Sequence, residues 1–220
     1  MHAFEPGYEK PSALLAKVAA CQAGRERERG ELIARLQRRT DPAAFTAAAE
    51  AAHSTDLALR LAAVDVLGQL GYADGRPYRE QTLPILVETA DQAAEPRLLQ
   101  AAVTAIAHLG DGRALTTVLR HAAHRDAQVR RAVAFALSSV LDPAEPAPAA
   151  VEALVALSRD ADEGVRDWAA FGLGDLPGAD SPAVRDALAE RLADPVPRIA
   201  GQARAALAER ADPRAARNPG

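Results

Sequence analysis

The sequence predicts an all-α protein, a right-handed α-α superhelix of about five helix pairs behind N-terminal capping helices. Three observations predict it. First, one apolar frame recurs. Counting from Leu59, apolar or small residues stand at offsets 0, +4, +7, +8 and +11 (Leu59, Ala63, Val66, Leu67, Leu70), which is one face of a helix. The frame repeats at Leu98, Ala102, Ala105, Ile106, Leu109; at Val129, Val133, Ala136, Leu137, Val140; and at Val165, Ala169, Gly172, Leu173, Leu176. A weaker copy runs Ile199, Ala203, Ala206, Leu207. The anchors lie 39, 31, 36 and 34 residues apart, intervals that suit one antiparallel helix pair each. Second, no stretch alternates apolar and polar residues with β-branched enrichment, so strands are not expected. Third, 54 of the 220 residues are alanine and only 4% are aromatic. Small side chains let stacked helices approach closely, and layers supported by their neighbours need no deep central core.

The elements follow in order. Residues 1–11, with Pro6, Gly7 and Pro11, read as an extended arm. Residues 12–40 read as capping helices, Ser12–Gln22 and Glu26–Arg39. The second opens with alternating charge, Arg25 to Arg29, and has one apolar patch at Leu32, Ile33 and Leu36, which suits a solvent-facing cap. The repeat domain spans 41–211. Its first helices are read as Pro42–His53, Thr82–Ala90, Arg113–Ala123, Pro148–Ser158 and Pro182–Ala193. Asp41-Pro42 and Ser181-Pro182 place an N-cap residue before a first-turn proline. Gly71 to Gly75, Gly110 to Gly112, Pro143 to Pro146 and Pro177-Gly178 supply the turns. Residues 212–220 are expected to fray.

The pattern D-x-x-V-R-x-x-A-x-x-A-L-x-x-L stands at Asp126 to Arg130 and Asp162 to Arg166, with a third match at Asp56 to Arg60. It resembles the short bacterial HEAT repeats of the phycobilin lyase type, over about residues 40–210. The resemblance implies a HEAT-like solenoid and names no ligand. Asp56, Asp126 and Asp162 stand at helix starts, where a carboxylate accepts from free backbone amides. Arg60, Arg130 and Arg166, four residues on, can reach back to that carboxylate or across to the next repeat's. A structural Asp/Arg ladder is expected; an anion site is the other reading.

Composition excludes several classes. Net charge is −4 with a pI near 5.8, against a protein built mainly to hold nucleic acid. Cys21 is the one cysteine, so no internal disulfide or cysteine-based zinc site is expected. No apolar run approaches the length of a membrane span and the start lacks a signal-peptide pattern, so a cytoplasmic protein is expected. His121 and His124 lie one turn apart, a spacing able to ligate metal. No glutamate follows either histidine, so neither the H-E-x-x-H arrangement nor the His-Glu pairs of HEAT-type deoxyhypusine hydroxylases are present. No cofactor and no metal are expected. No nucleophile motif or phosphate-binding glycine loop occurs.

Offsets +2, +5, +6 and +9 of each second helix point away from the apolar stripe. They are Leu61, Val64, Asp65 and Gly68; Gln100, Val103, Thr104 and Ala107; Arg131, Ala134, Phe135 and Ser138; Asp167, Ala170, Phe171 and Gly174. The resemblance implies that second helices line a concave face. The partner-binding candidates are therefore Phe135, Phe171, Arg131, Asp167, Thr104, Gln100 and Asp65. Phe135 and Phe171 share offset +6, and either anchor a partner or lean onto the next helix pair. Trp168, at +3, either packs between repeats or offers an aromatic platform. Residues 112–131 are mainly basic and 159–194 mainly acidic, a surface of two signs. The expected function is a non-enzymatic interaction module that holds a protein or peptide partner. The alternatives are nucleic-acid binding, as in the DNA-alkylation-repeat solenoids, and an accessory role like that of phycobilin lyase subunits.

Overall fold

The computed structural model describes residues 9–21 and 24–216; residues 1–8 of the expected arm and 217–220 of the expected tail lie outside them. The described residues form twelve α-helices and no strand. They are α1 (Pro11–Ala20), α2 (Glu26–Gln37), α3 (Pro42–Ala52), α4 (Leu57–Leu67), α5 (Arg79–Gln92), α6 (Pro96–Leu109), α7 (Leu115–Arg120), α8 (Ala127–Val140), α9 (Pro148–Leu157), α10 (Glu163–Gly174), α11 (Pro182–Arg191) and α12 (Pro197–Glu209). The fold class is the all-α helical repeat that the sequence predicts.

Local chemistry starts these helices where the sequence places them. Asp41 accepts from the Ala44 amide, Asp56 from Ala58, Asp126 from Gln128, Asp162 from Val165 and Ser181 from Val184. Each bond satisfies an amide that has no partner within its own helix. Proline opens α1, α3, α9, α11 and α12, where its missing amide proton is not needed. Two first helices differ from expectation. The segment read as Arg113–Ala123 divides into a 3-10 turn, Gly112–Ala114, and the six-residue α7, because Asp111 caps the turn through the Arg113 amide. The segment read as Thr82–Ala90 is longer: α5 runs from Arg79 to Gln92 and holds Pro84 in its interior. At the C-terminal end, where fraying is expected, Pro213–Ala216 form a 3-10 turn. Asp212 accepts from the Arg214 amide and guanidinium, and Arg214 also reaches Asp186.

The chain divides into two compact units, Met1–Ala105 and Ile106–Gly220. In the first, α4 packs against α1, α2 and α3. Leu14, Leu15 and Val18 of α1, Leu36 of α2 and Ala44, Ala48 and Ala52 of α3 are buried with it. In the second, α8, α10 and α12 stack in succession, and α7, α9 and α11 flank them as the first helices of each layer.

The recurring apolar frame is the core of both units. Every residue of the five copies is buried except Leu59, which is half-buried near the start of α4. The outward-facing set needs correction. Offset +5 is fully buried in all four helices, as Val64, Val103, Ala134 and Ala170. Leu61, Ala107, Asp167 and Gly68 are buried too. The assignment assumed one buried face, whereas a second helix in a stack is covered by its own partner and by neighbouring layers. What remains open in α8 and α10 is a narrow stripe centred on offset +6. Gly68 shows how close the helices come: a Cβ there would lie 2.8 Å from the Ala105 Cα.

Candidate functional site

In the second unit Arg130 and Arg166 pair across layers, but with none of the expected carboxylates Asp56, Asp126 and Asp162, which cap their own helices. Arg130 of α8 makes a two-pronged ion pair with Asp160, at 2.6 and 2.8 Å. Arg166 of α10 does the same with Asp194, at 2.8 and 3.3 Å. Each arginine also donates to loop carbonyls: Arg130 to those of His124 and Arg125, Arg166 to those of Asp160 and Ala161. The acceptor carboxylate is not the N-cap residue Asp162 but the residue two places before each cap. That position has its own role. Ser54, His124, Asp160 and Asp194 each accept from the backbone amide two residues on. Asp160 and Asp194 thus brace their own turn and receive the preceding layer's arginine. Among the described residues the first-unit member makes no such ion pair: Arg60 donates to the Ala52 carbonyl.

These contacts set the charge states. Hydrogen bonding from Arg130 holds the Asp160 carboxyl below its ordinary value, against the burial that would raise it. Burial pushes Asp194 up, and Arg166, the Val196 amide and Arg191 together overcome it. Arg130 and Arg166 are held protonated more firmly than a free guanidinium by the same pairs. Such pairs brace the loops between layers and leave these arginines little freedom to bind an anion.

The surface candidates separate by unit. In the first, Asp65 is held by Arg29 at 2.6 Å, and its carbonyl accepts from Gln37. Gln100 and Thr104 are half-buried and bonded to each other along α6. In the second, Asp167 is buried and paired with Arg198, which removes it from the open surface. Arg131 is exposed and lies over Gly164, where a Cβ would come within 3.0 Å of its side chain.

The aromatic residues of the second unit come together as a row. Phe135 of α8 packs on Trp168 of α10 with ring centres 4.5 Å apart. His108 meets the Phe135 edge at 5.4 Å, and Trp168 meets Phe171 edge-on at 5.7 Å. The two phenylalanines differ: Phe135 leans onto the next layer, while Phe171 stands 43% exposed at the end of the row. His108 also belongs to this surface, as do Asp175, Gln202 and Glu209, and these last three were not singled out from sequence. Apart from His108 they lie where α10 meets α12, at offsets +10 and +3, outside the four offsets taken as outward. No group of three or more His, Cys, Asp or Glu residues able to hold a metal occurs among the described residues. No helix among them is long and apolar enough to cross a membrane.

Paired helices in repeating layers, braced by loop arginines, define a helical-repeat protein. Residues 83–174 match the HEAT-repeat family. No curated protein matches the chain in sequence. Among solved structures, the Escherichia coli protein YibA is similar in fold, with a TM-score of 0.69 and 21% identity over 96% of this chain and 79% of that one. A designed armadillo repeat protein in complex with the peptide (KR)4 superposes with a TM-score of 0.63 at 15% identity, covering 91% of this chain and 99% of the other. The complex of CpcE and CpcF of phycocyanin lyase from Nostoc gives 0.55 at 24% identity, covering 76% and 99%.

Proposed function

We propose that this chain is a non-enzymatic interaction module that binds a protein or peptide on the second-helix face of its C-terminal unit. The exposed Phe171 ring, in line with Trp168 and Phe135, carries this reading. An exposed aromatic side chain backed by fixed aromatic neighbours is a preformed anchor that loses little freedom on binding. Arg131 adds an exposed charge nearby. Two similar folds are themselves complexed, one with a peptide and one with a second protein, which supports the capacity of the architecture. Nucleic-acid binding is disfavoured because the net charge is −4 and part of the basic segment is committed to ion pairs. In the basic segment, Arg113 pairs with Asp111 and Arg130 with Asp160. No observation picks out a chromophore site of the lyase kind.

The test is selection of displayed random dodecapeptides against the folded protein, with each enriched peptide re-measured on Phe171→Ala. Peptides whose binding falls about tenfold or more in that variant, at unchanged melting temperature, support the reading. Peptides that bind both proteins equally, or no enrichment, overturn it. Phe135→Ala is the less informative variant, because that ring is packed between His108 and Trp168 and its loss also weakens the fold.

A further inference from the structure

The grooves between successive second helices of the C-terminal unit share one register and are filled differently. In the groove between α8 and α10, Phe135 at offset +6 is covered by Trp168, the +3 residue of the following helix. The next groove repeats the geometry with Phe171 at +6 of α10. There the +3 residue of α12 is Gln202, and the floor is Ala170, Gly174, Ala205 and Ala206. A cavity of about 230 Å³ therefore opens beside the exposed ring. One layer earlier, a flat group of the chain itself covers the equivalent ring. Here that place is open to a flat group from another molecule.

The rim says what kind of flat group. Asp175 and Glu209 line the cavity, both exposed, and neither makes an ion pair among the described residues. The neighbouring cation, Arg210, adjoins the same two acids but is committed elsewhere: it donates to the carbonyls of Ala206, Leu173 and Leu176. Two carboxylates without an ion pair among the described residues and an open aromatic face together select a planar cation with several donors. We propose that this cavity binds the arginine side chain of a partner peptide. The guanidinium stacks on Phe171 and pairs with Asp175 and Glu209. A lysine ammonium fits less well, since it has the charge without the plane. The proposal rests on the interaction reading above and names the chemistry of its anchor.

The probe is an acetylated, amidated alanine heptapeptide with one central arginine, titrated into the isotope-labelled full chain by NMR. Its lysine and citrulline counterparts are run beside it. Expected are shifts at the Gly174, Gln202 and Ala205 amides, affinity at least about fivefold weaker for citrulline, and a similar loss in the double variant Asp175→Asn, Glu209→Gln. Both acids are exposed, so that variant keeps its melting temperature. Equal binding of citrulline and arginine, or shifts confined to other helices, overturns the proposal. The dodecapeptide selection separates the two ideas. Peptides that depend on Phe171 yet lack arginine and ignore the double variant overturn the guanidinium assignment alone. No Phe171-dependent peptide overturns both.

Discussion

Asp194 has no exposed side-chain surface, yet it is ionised because Arg166, Arg191 and the Val196 amide all donate to it. Removing Arg166 leaves a buried carboxylate short of its main partner. Arg166→Ala is expected to cost about 2–3 kcal/mol in urea denaturation. Arg60→Ala, which removes a bond to the Ala52 carbonyl and no ion pair, is expected to cost about 1 kcal/mol. Equal losses would mean that the cross-layer pair adds nothing. The pair also sets a pH dependence. Asp160 and Asp194 have folded values below the unfolded one, so their contribution is complete above the unfolded value, near pH ~4, and is lost as pH falls through the lowered folded values. The stability gap between the native chain and Arg166→Gln should therefore narrow on acidification from pH ~5 to ~3. A gap constant over that range would assign the loss to packing of the arginine stem instead.

At the scale of the helix, tight spacing and alanine content make glycines diagnostic. Gly68 ends α4 against Ala105, where a Cβ would lie 2.8 Å from backbone, so Gly68→Ala should destabilise by about 1–3 kcal/mol despite alanine's helix preference. Gly201 is inside α12 with nothing within 4 Å of an added Cβ. Gly201→Ala should stabilise by about 0.5–1 kcal/mol, read as a rise in melting temperature. The two substitutions are chemically identical and should differ in sign. The same packing explains what sequence could and could not reveal. The five-fold apolar frame was legible because burial on the shared side is periodic, and the caps were legible because Asp, Ser and Pro act locally. The open stripe was not, because the helical wheel of α8 or α10 carries no mark of how many neighbours cover it. Val64, Ala134 and Asp167 fell on that blind side. The bracing residues Asp160 and Asp194 were missed for a related reason: they precede the cap, and their partners lie about thirty residues away.

For the whole molecule, a repeat architecture makes stability a sum over layers and their immediate neighbours, not the property of one nucleus. Leu188 of α11 is fully buried among layers of the second unit. Leu188→Ala should remove about 2–5 kcal/mol locally. Under nearest-neighbour coupling, hydrogen exchange should accelerate most in α11 and α12, less in α9 and α10, and least in α3 and α4 of the other unit. The gradient is the informative quantity, since any core substitution lowers the mean. Peptide-resolved exchange followed by mass spectrometry reads it directly. A uniform acceleration from α3 to α12 would mean that the chain opens as one cooperative body, and the layer-by-layer account of its stability would have to be abandoned. A steep gradient would have a consequence for binding. The cavity beside Phe171 lies between α10 and α12, at the layers Leu188 supports. Leu188→Ala should then weaken peptide capture at Phe171 while α3 and α4 keep their protection, although Leu188 is not among the residues lining that cavity.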